Sequence, residues 1–408
     1  HQQPINLRIM EPITYTPSKT TEFFYKINII TYIFGFPNFW IEDLKLPKLF
    51  LKFYGGFAKV NNSLQFIMIL LELGAFITQH HLTEKQRFNL WLFAISHPIL
   101  LSYRLIMLYH EKNVRRVIFR LTVALKTVYN DAEVEKQMIA SSKLYLFALA
   151  FSCMVSMVTL TYDAFYVTFT TLVTMYPLVE DRSTLGSVAR VIINLTWWTF
   201  VTRIIALYVV VIPITTCLGH QYKNLQSYFY SLNEIFKRDD LSQRDKENQY
   251  ERQFKEGIKM HGDTLRCAQK TQTICSEVFS GQIIFNIVLL VILMAQTVKS
   301  EKNMSNLLSA GFTAVSILIG TGFFMWNSGD ITIEASRLST AIYSSGWHNV
   351  QGHSSTRIGK LVTITLNRAQ RPVVLKGLGY IELSYEAYLQ VSFIYNYVLC
   401  RHLAIEYF

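Results

Sequence analysis

Apolar residues in this chain gather into seven runs long enough to cross a bilayer, separated by segments rich in lysine, arginine and acidic residues. An α-helix rises about 1.5 Å per residue, so about 20 mostly apolar residues cover the ~30 Å hydrocarbon core. The runs fall near 58–80, 88–110, 143–169, 188–217, 272–298, 305–328 and 381–402. The fifth and sixth, QIIFNIVLLVILMAQTV and LLSAGFTAVSILIGTGFFMW, are the most continuous, whereas Glu386, Gln390, Ser392 and Asn396 interrupt the seventh. No internal repeat or low-complexity segment divides the chain. The pattern therefore predicts an all-α membrane protein with seven transmembrane helices in one domain.

Composition agrees. Of 408 residues 51% are hydrophobic and only 16% charged, against the roughly quarter-charged balance of soluble domains. The net charge of +11 is spread between the apolar runs rather than gathered on a compact face, which argues against nucleic-acid binding. Basic residues are retained on the cytosolic side of a membrane. The amino terminus and the segments 111–138, 219–270 and 329–379 carry about 28 of them, the alternate loops and the tail about six. The amino terminus is thereby placed in the cytosol and the carboxyl terminus outside, the inverse of a G-protein-coupled receptor.

Further readings follow from local composition. EIFKRDDLSQRDKENQYERQFKEGIK, within 219–270, reads as cytosolic helix that extends two spans inward, either as a plain solvated face or as a subunit contact. The first fifty residues lack the short apolar core and cleavage site of a signal peptide, so insertion is expected to rely on the first span. Cys153, Cys217 and Cys275 fall in or beside spans, Cys267 in a cytosolic loop and Cys400 near the far end, and no structural disulfide is expected. There is no Walker loop, dinucleotide fingerprint, HExxH or paired CxxC, and the histidines lack metal spacing. These features predict neither an enzyme nor a cofactor or metal site.

Polar residues inside a membrane are costly and call for a reason. In the seventh run Glu386, Gln390, Phe393, Tyr397, Cys400 and Arg401 fall within about 120° of one another at 100° per residue. Such a stripe fits a water-lined pore shared by several subunits, with Ile394 and Val398 among the apolar members able to close it by dewetting. It fits equally an interface with the sixth helix. Arg401 is unusual for a cation path and belongs either outside the narrow part or in a mixed assembly that tolerates it. Arg104 and Arg203 fit snorkelling or a partner such as Glu72. Gly311, Gly320 and Gly322 fit close helix packing. Asn303 heads a glycosylation sequon in an extracellular loop, and the Asn61 sequon lies at a cytosolic helix end.

The carboxy-terminal third carries a more specific pattern. LSTAIYSSGWHNV is followed by KLVTITLNRAQRPVVLKGLGYIELSYEAYLQVSFIYNYVL. Ile342, Tyr343, Ser344, Ser345 and Trp347, then Arg368, Ala369, Gln370 and Pro372, then Leu383, Ser384 and Glu386, together resemble the carboxy-terminal signature of insect odorant receptors. The threonine-tyrosine and glutamine-phenylalanine signature of the sister gustatory receptors is matched poorly by Ser384, Tyr385, Val391, Ser392 and Phe393. The resemblance implies a tetrameric, non-selective cation channel with the last helix of each subunit at a central pore, and Glu386, Gln390, Phe393, Ile394, Tyr397, Val398 and Arg401 on its lining. It implies cytosolic segments 219–270 and 329–379 that anchor the subunits. With no obvious insertion in the second cytosolic loop, the chain resembles the ligand-selective partner of a shared co-receptor subunit. A plasma-membrane location in the dendrite of an olfactory sensory neuron is implied as well.

The resemblance also places a small volatile odorant among the outer halves of the second, third, fourth and sixth helices. Residues available at that depth are Phe93 and His97, then Met154, Met157, Thr161 and Tyr162, then Ile193, Trp197 and Trp198, then Phe312, Thr313 and Ser316. Methionine and aromatic side chains suit a volatile because they pack by dispersion and demand few hydrogen bonds. A hydroxyl such as that of Thr161 or Tyr162 would orient an ester or alcohol. Trp197 and Trp198 also fit interfacial anchors, and His97 beside Pro98 fits a satisfied polar group at a helix kink.

Overall fold

A computed structural model describes residues 15–167, 171, 173–177, 183–299, 304–377, 379, 381–390 and 392–393. Among the described residues six long helices meet the length and hydropathy of membrane spans: α2 (Lys48–Thr78), α3 (Glu84–Tyr109), α6 (Ala132–Tyr162), α7 (Thr184–Ser231), α8 (Gln243–Lys299) and α9 (Met304–Tyr343). A shorter α1 (Lys19–Ile33) precedes them, α4 (Glu111–Phe119) and α5 (Leu125–Val128) join α3 to α6, and α10 (Gly352–Ala369) follows α9. Each of the first six apolar runs overlaps one of the six long helices. Of the seventh run, residues 385–390 and 392–393 are helical, and 394–402 lie outside the described residues.

Helix starts are set by side chains that accept from otherwise unpaired amides. Ser18 with Thr21 and Thr83 with Gln86 form reciprocal capping boxes at α1 and α3. Asp131 caps α6 through the amides of Glu133 and Val134, and Ser183 caps α7.

The helices overrun the apolar runs at their cytosolic ends. At 48 residues α7 is about 72 Å long, more than twice the ~30 Å hydrocarbon thickness, and its lower part stands in the cytosol beside the 57-residue α8. Cys267, expected in a loop, lies inside α8, which runs from Gln243 through the charged stretch without a break, Gly257 and Gly262 included. The break between the two helices is confined to a 3₁₀ turn (Leu232–Lys237) and the residues up to 242.

The centre of the molecule is α7. Its membrane-crossing window is 78% buried against 22% for that of α6, so α7 is wrapped by neighbours while α6 turns much of its surface outward. Phe53, Phe57 and Ile77 on α2, with Phe147 and Phe151 on α6, are exposed apolar side chains suited to lipid. Cys153, Cys217, Cys267 and Cys275 are free thiols, and Cys400 and Asn303 lie outside the described residues.

Below the membrane the segment 329–379 folds back on α7 and α8. Gln226 on α7 donates to the carbonyl of Glu334 (2.8 Å), and Tyr250 on α8 meets Ser345 (2.6 Å). Arg357 on α10 pairs with Glu251. A small antiparallel hairpin of β1 (Lys376–Gly377) and β2 (Ile381–Glu382) sets Lys376 opposite Glu382. Gln272 pins it by accepting from the Lys376 amide (2.8 Å) and donating to the carbonyl. In the YSSGW stretch Gly346 has a φ of +90°, and a Cβ there would lie 2.6 Å from Asn233 Oδ1, so the turn that aims Ser345 at Tyr250 requires glycine.

The junction of α5 and α6 with α7 rests on Asp131. Its carboxylate accepts from Ser227 (2.5 Å), its amide donates to Asn224 (2.8 Å), and Asn224 donates to the carbonyl of Tyr129 (2.9 Å). The Ser227 hydrogen bond is the main reason that the Asp131 carboxyl titrates below its ordinary value. A depressed carboxyl stabilises the fold above its unfolded pKa and loses that contribution as pH falls through the folded value. Asp131→Ala removes the cap and is expected to cost about 1–2 kcal/mol, seen as a lower Tm in detergent at neutral pH. The gap between variant and parent should close as pH drops below the carboxylate range.

Candidate functional site

Between them α3, α6, α7, α8 and α9 leave an apolar cavity of about 190 Å³ that reaches from Leu92 to Leu100 along α3 and from Trp197 to Tyr208 along α7. The α7 wall follows helical spacing through Trp197, Phe200, Val201, Ile204, Ile205 and Tyr208. On α3 the wall is Leu92, Phe93, Ser96, His97 and Leu100, and on α6 it is Leu149, Cys153, Ser156, Met157 and Leu160. Gln282, Phe285, Asn286 and Leu289 of α8 close one side, Thr313, Ser316, Ile317 and Gly320 of α9 the other. Larger clefts of about 520 and 360 Å³ lie on the cytosolic half and are lined by charged residues such as Glu256, Lys259 and Asp263, or His220, Lys223 and Asp330.

Most polar groups of the wall are satisfied by one another. Ser156 and Ser316 are 2.7 Å apart, and each also donates toward carbonyls of α6 or α9, which ties those helices together. Asn286 accepts from Gln282 (2.7 Å) and donates to Thr321. His97 Nδ1 lies 2.8 Å from both carboxylate oxygens of Glu72, a pair 2% and 0% exposed. Glu72 is thus the partner of His97 and not of Arg104 or Arg203. The His97 ring stacks on Phe93 (5.1 Å) and meets the edge of Phe200 (4.7 Å). Two buried polar atoms on wall residues have no hydrogen-bond partner among the described residues: the indole Nε1 of Trp197, a donor, and Oε1 of Gln282, an acceptor.

Of the residues placed at this depth from sequence, Phe93, His97, Met157, Trp197, Thr313 and Ser316 line the cavity. The other six do not. Met154 and Tyr162 are 49% and 55% exposed on the outward face of α6, and Tyr162 stacks on Tyr166. Thr161 accepts from Trp198 Nε1 (3.0 Å) and meets Asn194 (3.3 Å), forming a separate α6–α7 contact. Ile193 is partly buried, and Phe312 turns its ring outward while its carbonyl accepts from both serines. The α8 wall was not foreseen, although Gln282 and Asn286, polar residues one turn apart in the apolar run, were its signal.

The start of the last helix is also defined. Tyr385 donates to Asp330 and Tyr388 packs edge-on against Trp326 (5.2 Å), both on α9. A Cβ at Gly329 would lie 2.7 Å from Tyr385, and one at Gly322 would lie 3.3 Å from Tyr388. Gly311 has no neighbour within 4 Å and Gly320 only ordinary contacts. Close approach therefore belongs to Gly322 and Gly329 and not to the first two glycines of the expected set. Glu386, Gln390 and Phe393 lie on the face turned away from α9, with Phe393 70% exposed. Ile394, Tyr397, Val398 and Arg401 lie outside the described residues.

The profile of the 7tm odorant receptor family matches residues 84–393, most of the chain. The chain belongs to that family. No curated protein sequence matches it. In structure this odorant receptor is similar to the insect olfactory receptor OR5 from Machilis hrabei in complex with eugenol, with a TM-score of 0.75 and 13% identity over 94% of this chain and 98% of that one. A second structure of OR5 gives 0.74 at the same identity and coverage. At that identity the likeness speaks for the fold.

The buried Glu72–His97 pair makes a testable contribution to this receptor. Removing one member of such a pair strands the other in a medium that cannot solvate it, at a cost of about 3–5 kcal/mol, whereas an apolar replacement of both is near neutral. Glu72→Leu alone should lower the Tm in detergent markedly, and E72L/H97L should recover most of the loss. Additive losses in that cycle would show that the two do not act as a pair.

Proposed function

We propose that this receptor is the ligand-selective subunit of an odorant-gated cation channel, assembled with a co-receptor as a heterotetramer in the plasma membrane of olfactory sensory neuron dendrites. The cavity between α3, α6, α7, α8 and α9 carries the reading. Its 190 Å³ is little more than the ~150 Å³ that holds benzene in an engineered protein cavity, and its wall is apolar and aromatic. That size fits a small volatile molecule. The unpaired Trp197 N–H would donate to an oxygen of the odorant, and Gln282 Oε1 would accept from a hydroxyl. OR5, of the same fold, has been solved with eugenol, a small oxygen-bearing aromatic.

Coupling to a pore would pass along α9. Thr313 and Ser316 face the cavity, and farther down the same helix Gly322, Trp326, Gly329 and Asp330 hold Tyr385 and Tyr388 of the last helix. An odorant that binds better when α9 is displaced shifts the population in which the last helices are apart. Around a shared axis, the face with Glu386, Gln390 and Phe393, continued by Ile394, Tyr397, Val398 and Arg401, would line the path. Its turning away from α9 supports that reading over an α9 interface.

Whole-cell current from cells expressing the receptor with and without a co-receptor, under a panel of esters, alcohols and aldehydes, tests the proposal. Current should require both chains and survive G-protein block; silence despite surface expression of both would contradict it. Gly320→Leu fills the cavity, since a Cβ there meets only Leu149 and Tyr208 at 3.8 and 4.0 Å. It should raise the half-maximal odorant concentration about tenfold or more, as a loss of ~1.4 kcal/mol or more would, with surface expression kept.

A further inference from the structure

Two arginines in the membrane-spanning region have only neutral partners. Arg203 on α7 is 4% exposed and donates to Asn62 Oδ1 (2.5 Å) and Gln65 Oε1 (2.6 Å) of α2. Arg104 on α3 donates to the same Asn62 oxygen (3.2 Å) and to the carbonyl of Gly35 (3.2 Å), in the turn after α1. The two guanidinium groups therefore share one amide oxygen. Among the described residues neither has a carboxylate within 4.0 Å, and Glu72 is engaged by His97. Arg104 is partly exposed, yet its Nε is buried without a partner. Gly35, with a φ of +96°, lies over Arg203 so closely that a Cβ would come 3.0 Å from its Nε, which seals Arg203 and leaves Arg104 as the accessible member.

Amide oxygens satisfy the donors but leave the charge uncompensated, and two adjacent cations in a poorly solvating site favour an anion beside them. Depth identifies which anion is at hand. Asn62 lies about 24 Å along α2 from its outer end and Arg104 about 30 Å along α3, which is the inner edge of a ~30 Å hydrocarbon slab. Lys59 is exposed on α2 at that level, and farther inward Lys52 is exposed and Tyr54 pairs with Tyr32 at 5.3 Å, a composition typical of the interface. The planar fork of arginine matches phosphate geometry, and basic pockets between helices at the cytosolic boundary suit lipid head groups.

We propose that Arg104 and Arg203, with Asn62 between them, form a phosphate site at the inner membrane boundary, Arg104 contacting the anion and Arg203 adding its field from beneath. The same chemistry serves the phosphate of an anionic inner-leaflet lipid or a soluble phosphate. The site shares no residue with the wall of the odorant cavity and does not depend on how that cavity is read.

The test is thermal unfolding of the full chain in nanodiscs of phosphatidylcholine, with and without phosphatidylglycerol, and in phosphatidylcholine with inorganic phosphate at constant ionic strength. Phosphatidylglycerol should raise the Tm by about 2–4 °C or more. A matching rise with inorganic phosphate alone would assign the site to a soluble anion. Asn62→Asp puts a carboxylate at the shared oxygen. It should be as stable in phosphatidylcholine as the parent is with phosphatidylglycerol, and should no longer respond. Arg104→Gln, at a partly exposed position, should fold and lose most of the response. No rise from either phosphate source in the parent, or an undiminished rise in both variants, would overturn the proposal.

Discussion

Hydrocarbon offers no hydrogen-bond partners, so a polar side chain that enters the membrane is costly unless another group of the chain or a ligand satisfies it. That constraint organises the molecule around α7. Asn61 meets Thr199, Gln65 and Asn62 meet Arg203, and Thr161 meets Asn194 and Trp198, so α2 and α6 are held to α7 by short polar seams between apolar turns. Ser156 with Ser316 joins α6 to α9, Asn286 with Thr321 joins α8 to α9, and Glu72 with His97 joins α2 to α3. Association of helices in lipid has little hydrophobic drive of its own, which leaves such contacts and close packing to set the arrangement. The cavity lies where these seams hold five helices around a space that their side chains do not fill.

This placement gives α9 two duties. Its outer half is a cavity wall and its inner half is the surface on which the last helix begins, with Gly322 and Gly329 allowing two tyrosines to sit against the backbone. Continuing as one helix to Tyr343, it then enters the cytosolic bundle, where Glu334 and Ser345 bind α7 and α8. A rigid rod fixed at its inner end and contacted at its outer end is a simple physical element for linking occupancy to the position of the last helix.

Much of the fold was legible because spans announce themselves by length and hydropathy. Six runs overlap six long helices, and the charged stretch 234–259 is helical from Gln243 onward, its first nine residues lying in the break between α7 and α8. The site was legible by helix but not by face. On α6 apolar residues run all the way round, so nothing in the pattern separates the lipid side, with Met154 and Tyr162, from the cavity side, with Cys153, Ser156 and Met157. On α3 and α7 aromatic residues beside polar ones marked the inward face better, and Phe93, His97 and Trp197 fall on it. The pairing of His97 with Glu72 joins residues 25 apart on different helices, a long-range choice that periodicity does not encode.

The central claim is that the volatile ligand occupies the space between α3, α6, α7, α8 and α9. Electron cryomicroscopy of the purified receptor assembly, saturated with an odorant that activates it, tests this most directly. Ligand density is expected against Phe93, Met157 and Trp197, with an oxygen within hydrogen-bond reach of the Trp197 indole or the Gln282 amide. Density between subunits or in the cytosolic clefts, with this cavity unchanged from the ligand-free state, would contradict it.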